Sequence, residues 1–153
     1  MEIANEIVGR GKPLRIEHDV SIGTYDIDFV GHVSNISYLR WLEDARLKLF
    51  ETYFPLERFV RDGLTPVLVS TNIIYKRPIR LFEKPVIDMW VSSIGNASLT
   101  IDAEICVNGL LTSRVRHVGV FIELATGKPV RLPKVCVRKF QESSARVLQT
   151  LVR

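Results

Sequence analysis

Between Tyr25 and Tyr38 the chain reads Tyr-Asp-Ile-Asp-Phe-Val-Gly-His-Val-Ser-Asn-Ile-Ser-Tyr. Two carboxylates (Asp26, Asp28), an imidazole (His32), a hydroxyl (Ser34) and an amide (Asn35) fall just before a stretch with helical periodicity. The first turn of a helix presents N–H groups without intrahelical partners, and its dipole favours negative charge. A carbonyl oxygen gaining charge there is stabilised as in an oxyanion hole. A carboxylate such as Asp28 beside it can attack the carbonyl carbon or activate water. Gly31 lets backbone and substrate approach closely. Asp26, two residues earlier, points elsewhere and is the weaker candidate. A close pair of carboxylates would still raise one pKa and leave a poised base. His32 serves to touch substrate, to orient a carboxylate, or as a hydrogen-bonded structural group. Asn35 matters more for its backbone N–H than for its side chain, and Tyr38 belongs to the core or to the pocket wall.

The elements that must hold these groups follow from periodicity. Leu14, Ile16, Val20 and Ile22 share one side with His18, while Arg15, Glu17, Asp19 and Ser21 fill the other, so Leu14 to Ile22 reads as a half-buried strand. From Ile36 to Thr52, Leu39, Leu42, Ala45, Arg46 and Leu49 recur at helical spacing, widened by Trp41 and Phe50. Ser34 or Asn35 can cap this helix, and Glu43 and Arg46 can pair across one turn of it. Pro55 ends it, a short helical turn follows over Leu56 to Arg61, and Asp62-Gly63 is a turn. Four strands come next: Pro66 to Lys76, Val86 to Ile94, Leu99 to Val107 and Leu111 to Ile122. Asn108-Gly109 is a strong two-residue hairpin signal, because both central positions of a type I′ turn need positive φ. Turns at Gly95-Asn96 and Ala125 to Lys128 complete the set, and Phe140 to Val152 forms a short C-terminal helix. Tight turns force antiparallel neighbours, and one long apolar helix must bury itself against them. The expectation is an α+β domain spanning 1–153, with a core over about 14–133 and a C-terminal tail over 134–153.

Composition narrows the function. The 153 residues are 46% hydrophobic and 25% charged, the balance of an ordinary globular domain. No stretch free of charge exceeds the 13 residues of Gly63 to Tyr75, short of the roughly 20 a membrane span needs. Met1 to Glu6 is acidic rather than a secretory leader, and Cys106 and Cys136 form no paired motif, so a cytoplasmic protein is expected. The net charge of +4 is uneven: residues 1–65 carry 8 Lys/Arg against 11 Asp/Glu, and residues 66–153 carry 13 against 6. That asymmetry suits a phosphate-bearing partner or a solvated basic face. No RNA-binding aromatic signature, helix-turn-helix pattern or zinc-ligand spacing speaks for nucleic acid. Asp26, Asp28 and His32 lack the second His expected of a metal site, and Cys106 lacks a partnered His on its strand. His18 and His117 read as structural. Lys76, Arg77, Arg80 and Lys84 cluster at the strand end near Pro78, where they would hold phosphates, meet an acidic protein, or simply be solvated.

The run Asp28-Phe29-Val30-Gly31-His32-Val33-Ser34-Asn35-Ile36-Ser37-Tyr38, continued by Glu43-Asp44-Ala45-Arg46, resembles the D-x-x-G-H-V-N-N-x-x-Y…E-x-A-R pattern of hot-dog-fold acyl-CoA thioesterases of the 4-hydroxybenzoyl-CoA thioesterase-like group. Looser similarity extends through the later strands to Thr126-Gly127-Lys128-Pro129-Val130-Arg131-Leu132-Pro133. The resemblance implies a curved antiparallel sheet wrapped around a long central helix. It also implies hydrolysis of an acyl-CoA, or of an acyl carrier protein thioester, to free acid and thiol without metal or organic cofactor. Asp28 would be the catalytic nucleophile or general base, His32 would assist, and the backbone N–H near Asn35 would hold the thioester carbonyl. Gly31, Val33, Ser34, Tyr38, Lys76, Arg77 and Arg80 would contact substrate. Such enzymes are dimers or tetramers with sites at subunit interfaces. Ser34 departs from the pattern, which carries Asn there; its hydroxyl can cap the helix or shape the pocket.

Two other readings compete. A hot-dog enoyl-CoA hydratase would carry a longer Asp-to-His spacing with Asn-Pro inside it, whereas Phe29-Val30-Gly31 alone separates Asp28 from His32. A non-catalytic acyl-CoA-binding module would bind without releasing thiol, and as a DNA-binding regulator it would need more than residues 1 to 13 ahead of the domain.

Overall fold

The computed structural model describes residues 11–153, so the acidic stretch Met1 to Glu6 lies outside the described residues. In chain order the elements are β1 (Ile16–Asp19), a single 3-10 turn (Thr24–Asp26), α1 (Asn35–Tyr53), α2 (Leu56–Arg61), β2 (Leu64–Tyr75), β3 (Pro85–Ile94), β4 (Ser98–Val107), β5 (Leu110–Glu123), β6 (Pro129–Val130) and α3 (Lys134–Leu151). The strands form one antiparallel sheet in the order β1-β3-β4-β5-β2, with β6 paired to β5. Register shifts at Leu68/Ser70, Val91/Ser93 and Ile105/Cys106 mark bulges, which add the local twist a sheet needs to curve.

The alternation read from the sequence is the alternation of the sheet. Leu99, Ile101, Ala103, Ile105 and Val107 of β4 are buried, and the residues between them are half-exposed. Asn108 (φ 50) and Gly109 (φ 77) make the type I′ turn into β5. Over the inner face lies α1, burying Tyr38, Trp41, Leu42, Ala45, Leu49 and Phe50 against residues such as Ile87, Met89 and Ile105. Each such aliphatic side chain contributes on the order of 1.5–3 kcal/mol by leaving water. The outer face is polar and ion-paired, with Arg116 bidentate on Asp102 at 2.8 and 2.9 Å and Lys12 on Asp88 at 2.6 Å.

Four expectations change. The first strand covers Ile16–Asp19 rather than Leu14 to Ile22, because Leu14 takes a left-handed φ of 51 and the chain turns after Val20 toward Gly23. Leu39 is 47% exposed: the buried stripe of α1 runs through Tyr38, Leu42, Ala45 and Leu49, and Leu39 sits about 100° around the helix from Tyr38. The C-terminal helix begins at Lys134, directly after Pro133, and is 18 residues long. The segment 134–153 packs on the domain: Cys136 is buried, Ser143 Oγ accepts the Leu14 N–H at 2.9 Å, and Lys139 donates to the Tyr53 carbonyl. Finally, no ion pair joins Glu43 and Arg46 among the described residues; Arg46 turns inward beneath the helix instead.

There it meets His117 of β5. Arg46 Nη1 lies 3.5 Å from His117 Nε2, and His117 Nδ1 lies 3.0 Å from Thr71 Oγ1 on β2. A guanidinium only donates, so Nε2 accepts and Nδ1–H donates to Thr71. The imidazole is 1% exposed. Burial, and then the Arg46 charge, lowers its pKa to about 4. Unfolded, the imidazole titrates near its ordinary value of about 6.5. Between those values the unfolded chain takes up a proton that the folded chain refuses, so stability falls as pH drops through this window. Urea unfolding of the wild type should therefore lose about 2 kcal/mol between pH 7.5 and 5. In His117→Asn that loss should largely vanish; equal losses in both proteins would contradict the assignment.

Candidate active site

The segment ahead of α1 is folded by its own short-range hydrogen bonds. Asp26 Oδ2 accepts the Gly23 N–H at 2.8 Å, closing the 3-10 turn, and the residue is only 3% exposed. Its carbonyl accepts the Ser34 N–H at 2.7 Å and the Ser37 hydroxyl at 3.4 Å. Asp26 is thus a structural clamp, and it does not line the cleft described below.

Between these clamped ends the chain loops out and back. Ile27 bridges to Val33, the Asp28 N–H donates to the His32 carbonyl at 2.8 Å, and the Gly31 N–H donates to the Asp28 carbonyl at 3.0 Å. Closing so tight a loop requires Gly31 at φ 84, a conformation that costs a residue with a Cβ about 1–2 kcal/mol. Asp28 Oδ1 accepts the Val30 N–H at 2.9 Å and the His32 N–H at 3.3 Å. The carboxylate is consequently fixed in direction, and among the described residues Oδ2 takes no hydrogen bond. Phe29 and Val30 form the exposed tip of the loop.

The chain then enters α1. Ser34 Oγ accepts the Ile36 N–H at 3.3 Å, so the serine at the position that departs from the family pattern is the helix cap. Asn35 is the first helical residue, and its N–H is one of those a helix leaves without a partner. The loop after β2 is stitched to the same place: the Val33 N–H donates to the Ile79 carbonyl at 2.8 Å. The N–H groups of Lys76 and Arg77 both reach the Thr112 carbonyl, at 2.8 and 3.1 Å.

These contacts bring Asp28, His32, Asn35, Tyr38, Lys76 and Arg77 around one cleft of about 300 Å³, with Val33 in its wall. Seven of the ten expected site residues therefore converge. Gly31 stands behind them as the loop's turning point, Ser34 as the cap, and Arg80 outside the cleft with its N–H on the Glu83 carboxylate at 2.8 Å. The sequence reading missed Tyr75 and Pro78, which also line the cleft. Tyr75 stacks edge-on against Tyr38 with ring centroids 5.0 Å apart. Its only sequence signal was its place at the end of a strand, next to Lys76. Burial pushes the Tyr38 phenol up to about 12, so it stays protonated and can donate a hydrogen bond but cannot act as a base near neutrality.

Elsewhere the chemistry is poorer. Cys106 lies on β4, outside the cleft, and burial and then Glu104 push its thiol up, opposite to what a nucleophilic thiolate needs. Cys136 is pushed up to about 12 by burial. Among the described residues no group of three or more His, Cys, Asp or Glu side chains is placed to hold a metal ion, and no helix is long and apolar enough to cross a membrane. The cleft can offer a fixed carboxylate, a helix N-terminus aimed at the same space, and two cations at the rim.

Residues 22–140 match the family model described as the thioesterase-like superfamily. Long-chain acyl-CoA thioesterase FadM of Escherichia coli (strain K12) is 25% identical over 119 residues, covering 76% of this chain and 90% of that protein. Among solved structures, a predicted thioesterase from Bacillus stearothermophilus superposes with a TM-score of 0.75 at 26% identity, over 84% of this chain and 96% of that one. A thioesterase from Thermus thermophilus, complexed with coenzyme A and Zn, gives a TM-score of 0.73 at 25% identity, over 88% and 96%. The overlap takes in the sheet and the central helix, so the hot-dog fold that the motif implies is the fold of this chain.

Proposed function

The chain belongs to the thioesterase-like superfamily and is a thioester hydrolase, and from that premise we propose that its substrate is an acyl-CoA, cleaved at the cleft where α1 begins. The observation that carries this reading is the placement of Asp28: a carboxylate locked by two backbone N–H groups, sharing one cleft with the unpartnered N–H of Asn35.

The thioester carbonyl oxygen sits on the Asn35 N–H, where the positive end of the helix dipole meets the developing oxyanion. A single preorganised donor of this kind contributes roughly 3 kcal/mol to the barrier reduction. Asp28 supplies the other half of the reaction. Either its free Oδ2 attacks the carbonyl carbon, expelling the thiolate and leaving an acyl anhydride that water hydrolyses, or it takes a proton from a water that attacks directly. Both routes yield acid and thiol and return Asp28 as carboxylate. His32 lies on the cleft wall beside it, and the Tyr38–Tyr75 pair forms an apolar floor. Lys76 and Arg77 face the phosphates of coenzyme A at the rim, with Arg80 farther out on the same loop.

The same basic rim suits an acidic acyl carrier protein, which is the second reading of the carrier. The enzyme works as a dimer or tetramer: Ile36, Leu39 and Leu47 expose an apolar flank of α1 beside the edge strand β2, itself exposing Leu68 and Val69. Sedimentation should give at least twice the 17.4 kDa chain mass, and a monomer at working concentration would oppose it.

Asp28→Asn keeps an oxygen acceptor for Val30 and His32 while removing charge and basicity. Free-thiol release from a panel of acyl-CoAs should fall about 10²–10⁴-fold in this variant, with the melting temperature nearly unchanged. An equally fast variant would remove Asp28 from the chemistry. A wild type that binds acyl-CoA tightly yet releases no thiol would favour the binding-module reading, and loss of the enoyl absorbance without thiol release would favour hydration.

A further inference from the structure

A second cavity, of about 380 Å³, opens between α1 and the sheet farther along the helix. Leu47 and Phe50 of α1, Val67 and Leu68 of β2, and Val120 and Phe121 of β5 make most of its wall apolar. Two polar side chains interrupt that wall, Arg46 and the buried His117, and Glu43 stands with them on the helix side.

This cavity shares no lining residue with the catalytic cleft, but both are lined by α1 and β2. Tyr38 and Tyr75 touch at the cleft end. From there, Tyr38 to Arg46 spans about 12 Å along the helix, and Tyr75 to Thr71 spans about 14 Å along β2. Arg46, His117 and Thr71 are hydrogen-bonded to one another at that far end, so helix and strand run side by side between matched ends. Between them, Ile73 pairs across the sheet with Val115, an apolar step.

The chemistry at the far end is unbalanced in one direction. Thr71 and His117 use each other, and His117 Nε2 takes one N–H of Arg46. A guanidinium carries five N–H donors, and Arg46 forms no ion pair within 4.0 Å among the described residues. Arg46 is half-buried at this wall, and an acceptor that enters among the apolar side chains meets its spare donors. The nearby Glu43 carboxylate opposes a second anion and accepts from a hydroxyl.

We infer that this cavity receives the tail of the acyl group, and that Arg46 makes it select tails bearing a hydroxyl or keto oxygen over plain alkyl chains. The inference rests on the acyl-CoA reading above and names the acyl class for that site. From Asn35 to Arg46 is about 16.5 Å along the helix, slightly more than an extended dodecanoyl chain, and the Arg46 side chain, which leans toward the helix N-terminus, closes the difference. A plain chain of that length brings methyl and methylene groups against the guanidinium and leaves its donors unmatched. A chain ending in a hydroxyl matches them. Sites that hydrogen-bond a substrate oxygen reject the analogue lacking it more strongly than apolar pockets separate chains by one methylene.

The test is the ratio of kcat/KM for omega-hydroxydodecanoyl-CoA to that for dodecanoyl-CoA, read by thiol release. The wild type should favour the hydroxylated chain about tenfold or more. Arg46→Met should bring the ratio to unity or invert it, while Arg46→Lys retains part of the preference. A wild type that prefers the plain chain, or a ratio unmoved in Arg46→Met, overturns the inference. Val67→Phe guards against an unfolded Arg46 variant: filling the cavity from β2 should lower kcat/KM for both dodecanoyl substrates more than for acetyl-CoA, and an equal effect at both chain lengths counts against the tail site. Failure of the parent reading looks different, since the wild type would then release thiol from no acyl-CoA at all.

Discussion

The carbonyl oxygen of Asp26 holds the site together. By accepting the Ser34 N–H and the Ser37 hydroxyl, it ties the chain before the loop to the first turn of α1. Everything between those anchors must close on itself within a few residues, which is why Gly31 adopts a left-handed backbone and why Asp28 bonds its own loop. The Asp28 carboxylate and the Asn35 N–H thereby become fixed points of one local structure rather than partners that meet by chance. In the proposed mechanism, a pair whose spacing is set by backbone hydrogen bonds loses little entropy when substrate arrives. It also depends on the Val33 N–H reaching the Ile79 carbonyl, which places the basic loop after β2 at the cleft rim.

Central burial of α1 supplies rigidity, and the same burial forces a choice on the few polar groups beneath it. His117 and Thr71 satisfy each other across β2 and β5, and Arg46 reaches His117 from the helix. An interior imidazole with both nitrogens matched costs far less than one left bare, yet it remains neutral because burial, and then the charge of Arg46, disfavour its protonation. In the proposed reading one helix therefore carries two functional ends: an anion-stabilising start at Asn35 and a donor-rich wall at Arg46, with apolar packing between them.

Much of this was legible because the signals were local. Strict alternation marked β4, the Asn108-Gly109 pair marked the tight turn from it into β5, and the segment from Asp28 to Tyr38 announced the entry into α1. What escaped the reading depended on contacts between distant positions. Helical spacing grouped Leu39 with Leu42, but only the sheet decides which stripe of α1 it covers. Glu43 and Arg46 have the spacing of a pair, yet a buried acceptor 71 residues away draws the guanidinium inward. Spacing set Asp26 apart from Asp28 without giving it a role, and the hydrogen bond from Gly23 shows that it is a clamp. Pro133 was the available signal for the early start of α3, since proline is well tolerated where a helix begins.

The central claim is that the thioester carbonyl binds at the start of α1 opposite Asp28. The most direct measurement is a crystal structure of the Asp28→Asn variant with an uncleaved acyl-CoA. The account predicts the thioester oxygen about 2.7–3.1 Å from the Asn35 nitrogen, with the carbonyl carbon facing the side chain at position 28. A thioester bound away from the helix N-terminus, or seated on the outer face of the sheet, would contradict it.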